Sequence, residues 1–489
     1  MSPVEVELFY FLPLVLAAYW IGPRQRSWQN GVLLVAGYVF FASWSGRLLA
    51  FLVAGTIIDY LVLRVLSSEG GTRPELAPSR RRLILSLAIV TIAAEILYFK
   101  YQGFLVGSLQ ALLAAVGLTV SFRTASIIAP VGLSFRALQR ISVYVDVYRG
   151  RQQPPQQLLD YAVFVAFFPQ MLAGPITRAS QLLTQLEKPR HLSPLSWANG
   201  LWAMLVGFTL KAFCADVIGT RLVDPVFHDT LAFGTAAHWI ALTGFALQVF
   251  GDFAGYSLIA IGLALFVGIE LPVNFNFPFI SRTLTEFWRR WHITLNSWLF
   301  DYIFFPLTVE TKVFRGLVIP AFFVTFMVSG LWHGASWTFV AWGFLQAVGL
   351  TIQTLWERRF AKLAKADRRW VARRKSSWYG RLAWAFTQGF FLLSLIPFRA
   401  GSFGQALVFA RGLVRSPGSE TLPLGNPQLV AALAAILLYQ LAPLSPGQRM
   451  VRWFESCPAL VQGLAFGVGI VLLLILTPAG SGTFIYAQF

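Results

Sequence analysis

The sequence predicts an all-α, polytopic integral membrane protein, and three observations lead there. Of its 489 residues 56% are hydrophobic and 12% charged, against about 25% charged in a soluble chain. Mean hydropathy is +0.64, and apolar runs approaching the roughly 20 residues of a membrane crossing recur along the chain. The net charge of +18 comes from Lys and Arg gathered in short loops between those runs. Loops of that kind are held on the cytoplasmic side against anionic lipid, so the charge points to a membrane surface and away from nucleic acid.

Taken in order, the candidate spans are Val6–Ile21, Gly31–Trp44, Leu48–Leu66, Leu83–Tyr101, Phe104–Val120, Ser126–Val147, Tyr161–Ala173 and Gly200–Gly219. They continue with Ala236–Phe250, Ala254–Ile269, Leu317–Ser329, Ser336–Trp356, Leu382–Phe398, Leu429–Leu441 and Val461–Leu476. Several are too short to cross, so some are broken, re-entrant or interfacial, leaving about eleven to thirteen crossings. Glu5 precedes the N-terminal run, Glu7 stands at its start, and Arg24 and Arg26 follow it. That pattern predicts a retained first helix with its N-terminus outside. FFPQMLAGPITR (Phe167 to Arg178) carries Pro169, Gly174 and Pro175. Irregular backbone at membrane depth must be walled in by protein or line a watery cavity, so this reads as a buried break.

Glu357 to Arg381 holds ten Lys or Arg against two acids. It is expected to be a cytoplasmic amphipathic segment on the membrane surface, marking topology and able to concentrate an anionic substrate. No internal repeat or linker appears, so residues 1–489 are read as one membrane-embedded domain, with a signature core at about 130–345. The two cysteines, Cys214 and Cys457, have no metal or disulfide spacing and read as structural thiols. No metal is expected.

The candidate chemistry lies in TEFWRRWHITLNSWLFDYIFFP (Thr285 to Pro306), which sets Glu286, Arg289, Arg290, His292, Asn296 and Asp301 among eight aromatic residues. Glu310, Lys312 and Arg315 mark an interface, with His292 eighteen residues before it and His333 eighteen after. If both arms are helical, each imidazole lies about 27 Å from that loop, and the two share one level. Asn296 is one turn beyond His292, and Arg289 is three residues before it. In SGLWHGASW, Gly330 and Gly334 bracket His333 and permit close helix approach. An ionisable side chain deep in a membrane helix costs about 2.5–3.5 kcal/mol on the lenient scale and is a functional candidate by default. Burial keeps a histidine neutral, which suits a general base. The bland alternative is two imidazoles holding helices together by hydrogen bonds. His191, His228 and His238 have no polar constellation around them. There is no His with Asp four or five residues later, no HExxH and no phosphate loop.

DFAGYSLIAIGLALFVGIELPVNFNFPFISRTLTEFWRRWHITLNSWL (Asp252 to Leu299) resembles the core of the membrane-bound O-acyltransferase superfamily, in its alginate O-acetyltransferase-like branch. SGLWHGASWTFVAWG (Ser329 to Gly343) is similar to the second signature, and PVGLSFRALQRISVYVDVYRG (Pro130 to Gly150) and FFPQMLAGPITR agree with it. The similarity covers roughly residues 1 to 415. The resemblance implies transfer of an acetyl group from cytoplasmic acetyl-CoA, used as a substrate with no permanently bound cofactor. The acceptor would be an extracytoplasmic polysaccharide or peptidoglycan, or a periplasmic partner protein that acetylates it, and the location the bacterial inner membrane. His333 of Trp-His-Gly corresponds to the family's catalytic residue and His292 to its second characteristic histidine.

On this reading His333 and His292 are catalytic, and Asn296, Arg289, Asp252 and Trp332 are the candidate substrate-binding residues. His292 and Asn296 would orient reactants or stabilise an oxyanion. Arg289 and Arg290 would stand at the channel mouth or pair with Glu286 and Asp252, and Trp332 could equally be a packing anchor. Phe300 stands where the branch usually has Arg, and PLTVETKVFRG replaces its Gly-Gly turn. These departures leave room for the sister D-alanyl transferases of teichoic acids. A transporter or flippase is the rival from another class, for which paired broken repeats would speak.

Overall fold

The computed structural model describes residues 7–67, 77–122, 129–171, 174–440 and 445–477. Helix dominates them; the β contacts found are isolated bridges, Phe233 with Glu420 and Gly234 with Pro417. Among the described residues seven helical stretches are long and apolar enough to cross a membrane: Arg26–Leu66, Pro78–Ala115, Pro194–His228, Thr235–Phe266, Trp337–Ala366, Ser377–Arg399 and Ala459–Leu476. Four shorter apolar helices, Glu7–Ile21, Leu158–Gln170, Val318–His333 and Pro427–Gln440, join them. The chain is thus an all-α, multi-pass membrane protein.

Neighbouring spans predicted separately prove continuous in three places. Gly31–Trp44 and Leu48–Leu66 are joined through a 3₁₀ turn at Gly46–Leu48. Leu83–Tyr101 and Phe104–Val120 are joined through a π-turn at Leu97–Tyr101. Ala236–Phe250 and Ala254–Ile269 form one helix, Thr235–Phe266. The gap left between the two predicted spans is helical, and the charge of Asp252 within it is compensated by Lys211 inside the protein. The start of the predicted span Ser126–Val147 and residues 172–173 of Tyr161–Ala173 lie outside the described residues.

The described residues gather into two compact units, 1–204 with 258–272, and 205–257 with 273–489. In the first, Arg140 pairs with Asp59 at 2.5 Å and Glu95 at 2.6 Å, and Tyr144 and Tyr161 donate to the same Asp59. A cavity of about 20 Å³ is lined by Asp59, Glu95, Arg136 and Arg140 with apolar neighbours, room for about one water. In its described part the segment Phe167–Arg178 is buried and passes from one 3₁₀ turn, Phe168–Gln170, into irregular backbone at 174–178: Gln139 donates to Thr177 at 2.9 Å, and Thr177 donates to Gln170 at 3.0 Å. Gly132, at φ +65°, sits so close to the Met171 carbonyl that a Cβ there would overlap it. The prediction of a walled-in break at this place holds.

The second unit is built around its own irregular stretch, residues 273–283. Side chains of two long helices satisfy its backbone: Trp384 donates to the Phe279 carbonyl at 2.8 Å, Gln388 to the Ser281 carbonyl at 2.9 Å, and Gln353 accepts from Leu284 N–H at 2.8 Å. The Ser281 carbonyl, on a fully buried residue where an unpaired group would cost about 1–3 kcal/mol, is thereby paired. The basic stretch 357–381 is helical, ending Trp337–Ala366, then Arg369–Lys375, then beginning Ser377–Arg399. Arg374 lies over the Phe360 ring at 4.7 Å and Arg373 over Trp370 at 5.0 Å.

Candidate active site

Helix Val318–His333 ends at His333, and Ser336 caps the next helix, Trp337–Ala366, by accepting from Thr338 N–H at 3.3 Å. Three residues, Gly334 to Ser336, therefore make the whole connection. The hairpin closes on small residues: a Cβ on Gly330 would overlap the Phe339 carbonyl, and one on Gly343 the Phe326 carbonyl. The close approach drawn from Gly330 is thus present, with Gly343 as its partner across the pair. It folds the second helix back over His333, whose ring lies 5.0 Å from Trp342 and 5.3 Å from Phe398. His333 is 5% exposed.

His292 arrives differently. The first arm is not one helix: short helices Leu284–Trp288 and Ile293–Leu299 flank His292, followed by π-turns at Phe300–Phe304 and Pro306–Glu310. His292 is the N-cap of the second of these, with φ +43° and ψ 55°. A non-glycine residue held left-handed costs on the order of 1–3 kcal/mol and persists only where its surroundings over-determine it. Here they do. Ile293 N–H donates to the Asn274 carbonyl at 2.8 Å and Asn276 N–H to the Arg290 carbonyl at 2.9 Å, clamping the two strands of chain together. The ring is 1% exposed, edge-on to Phe253 at 4.5 Å and parallel to Phe275 at 6.4 Å. Its Nδ1 lies 3.0 Å from Asn274 Oδ1.

The two histidines meet at one indole: the Trp332 ring is 5.8 Å from His292 and 5.0 Å from His333, centroid to centroid. The two are brought to the same indole although the helical first arm assumed from the spacing about the Glu310–Arg315 loop is absent. His292 lies outside the candidate spans. Burial, and after it the nearby His333, hold its imidazole well below the ordinary histidine value.

The other candidates are placed as follows. Asn296 turns back on the chain, its amide donating to the Trp291 carbonyl at 2.6 Å and the His292 carbonyl at 3.1 Å. In this arrangement both its N–H groups steady the backbone that carries His292. Arg289 is exposed. Arg290 pairs with Glu286 at 3.0 Å and donates to the Asn276 carbonyl at 3.1 Å, so these two charges stitch the local backbone. Asp252 is buried at 1% exposure, and its partner is Lys211 at 2.7 Å, in place of the arginine pairing expected from sequence. Lys211 also holds Asp216 at 2.7 Å. It reaches Asp252 because Gly255 is bare: a Cβ there would crowd Lys211 Cβ and the Gly207 carbonyl. Asp252 immediately precedes Phe253, the ring against His292.

Sequence reasoning missed Lys211, Asp216, Ser257 and Asn274. A signal existed for the first, a lysine inside the apolar run Gly200–Gly219. For Asn274 none did, because its neighbours His292 and Thr294 are distant in sequence. Among the described residues no three His, Cys, Asp or Glu side chains gather into a metal-holding group.

Residues 114–395 match the family described as MBOAT, membrane-bound O-acyltransferase family. The chain is 36% identical over 378 residues to the probable alginate O-acetylase AlgI of Azotobacter vinelandii, covering 75% of this chain and 71% of that one. It is 30% identical over 442 residues to the peptidoglycan O-acetyltransferase of Helicobacter pylori, covering 83% and 78%. It is also 29% identical over 257 residues to the teichoic acid D-alanyltransferase of Streptococcus thermophilus, covering 50% and 61%. With the family match spanning more than half the chain and both histidine motifs inside it, this protein is an acyltransferase and belongs to the membrane-bound O-acyltransferase family.

Proposed function

We propose that this enzyme moves an acetyl group from cytoplasmic acetyl-CoA toward an extracytoplasmic polysaccharide or peptidoglycan, directly or through a partner protein, in the bacterial inner membrane. The observation that carries the reading is the pair of buried imidazoles beside one indole, His292 and His333. The named activities of the alginate and peptidoglycan relatives favour acetyl as the group and a glycan as the final acceptor.

In this mechanism His333 takes the proton from the attacking hydroxyl as its oxygen bonds to the thioester carbonyl carbon. The tetrahedral oxyanion collapses, the carbon–sulfur bond breaks, and the imidazolium returns its proton to the departing thiolate. Products are the ester and free thiol, and no co-reactant is needed. A positioned general base is worth about 10²–10⁴-fold in rate. His292 orients the hydroxyl. Asp252 and Lys211 support the helix behind Phe253, and Asn296 steadies the chain at His292.

The test is acetyl-CoA consumption by purified protein with a hydroxyl acceptor, read as free thiol, for wild type and His333→Ala. The expected result is turnover in the first and its near-loss in the second. Unchanged turnover in His333→Ala removes that residue from the chemistry. No turnover with acetyl-CoA, alongside activity with a D-alanyl thioester of a carrier protein, replaces the donor; inactivity with both refutes either thioester as the donor.

A further inference from the structure

Asn274 makes four hydrogen bonds from its side chain, and together they assign a proton that no side chain alone would. Its Oδ1 lies 3.0 Å from His292 Nδ1, 2.9 Å from Thr294 Oγ1 and 3.3 Å from Thr294 backbone N, while its Nδ2 lies 3.0 Å from Ser257 Oγ. The Thr294 backbone nitrogen can only donate. The amide atom facing it must therefore be the oxygen, which settles which way round the amide stands. A carbonyl oxygen has no proton to give, so every group around it donates, His292 Nδ1 included. Asn274 itself is 1% exposed and is anchored twice, by its own side chain and by its carbonyl, which accepts from Ile293 N–H at 2.8 Å.

We propose that Asn274 is a positioning residue that holds neutral His292 in the tautomer with its proton on Nδ1, leaving Nε2 as a lone-pair acceptor. The consequence is a division of labour at the site. A neutral imidazole protonated at Nδ1 cannot donate from Nε2, so His292 does not stabilise an oxyanion. It accepts from the incoming hydroxyl, holding that group while His333 removes the proton. The Thr294 backbone N–H, which can only donate, opposes rotation of the amide, which would turn an N–H toward His292 and reverse the assignment.

This inference rests on the acyl-transfer reading, but its first test does not. The purified full-length protein, labelled with ¹⁵N-histidine, is examined by solid-state NMR in lipid, with His292→Gln identifying the signal. The expected spectrum shows His292 protonated at Nδ1 and bare at Nε2; protonation at Nε2 overturns the proposal whatever the enzyme's substrate. The second test is the pH profile of acetyl-CoA turnover in Asn274→Asp and Asn274→Leu. Asp keeps an acceptor at Nδ1, and its carboxylate makes the imidazole more basic. Activity should survive within about 10-fold of wild type, with its acid limb displaced to higher pH, because the neutral ring is then reached later. Leu removes the acceptor and should lower turnover about 10²-fold or more while binding of acetyl-CoA persists. A folded Leu variant with the wild-type profile, or an Asp variant with an unmoved acid limb, overturns the proposal. If Leu does not fold, the wild-type spectrum and the Asp profile still decide. Wild-type inactivity toward acetyl-CoA would remove the functional reading and leave the tautomer to the spectrum.

Discussion

His292 and His333 share one neighbour, the Trp332 indole, at ring distances of 5.8 and 5.0 Å. One arrives as a strained helix cap and the other as the final residue of a helix, so nothing local ties them together. The indole is the common wall of both. Groups that act on one reacting unit give non-additive losses when removed.

On that ground His292→Ala and His333→Ala should each reduce turnover, His333→Ala by about 10²–10⁴-fold. The double variant should lose little more than His333→Ala alone. Steady-state thiol release on the three purified proteins measures this, and simple multiplication of the two losses would show that they act independently.

Lys211→Met leaves Asp216 and Asp252, both within 2.7 Å of the lost ammonium, facing each other in a buried place. Breaking a buried ion pair by removing one partner costs about 3–5 kcal/mol. Thermal unfolding in detergent should show a pronounced loss for Lys211→Met. Adding Asp252→Asn should recover part of it, and a single variant as stable as wild type would refute the ion-pair account.

Gly343→Leu places a side chain where the Phe326 carbonyl and the Gly330 backbone already stand. Overpacking of this kind costs about 1–3 kcal/mol. Since the same helix pair carries His333, turnover should fall more steeply than stability. Melting and activity measured on one preparation will compare the two losses.

Burial, followed by His333, keeps the His292 imidazole depressed, so it stays neutral as pH falls through about 6.5, where a free histidine is half protonated. The acid limb of turnover assigned to His292 should therefore lie below pH 6.5. The unfolded chain takes up that proton first, so stability conferred by neutral His292 is complete above the unfolded value and declines as pH falls below it. A pH series of melting points on wild type and His292→Gln tests this; identical slopes below pH 6.5 would count against it.

Much of this was legible in the sequence. Apolar runs and sparse charge determine an all-α membrane protein, because in lipid the backbone must satisfy itself. His292 and His333 stand out because ionisable groups are rare in so apolar a sequence, and Gly330 because small residues mark close helix contact. Pro169, Gly174 and Pro175 announce the buried break at Phe167–Arg178. Each of these signals is written locally, in composition or spacing.

What the sequence could not decide are the pairings. Asp252 reads from sequence as a substrate contact or an arginine's partner, and only the fold shows Lys211, 41 positions earlier, compensating it. Asn296 looked poised toward the reactants, and only the backbone turn at His292 directs its amide to two carbonyls. Asn274 carried no signal at all until the chain brought its oxygen to His292 Nδ1. Hydrophobicity is a property of each residue and can be read one residue at a time. A hydrogen bond or ion pair belongs to two, and which two is set by packing alone.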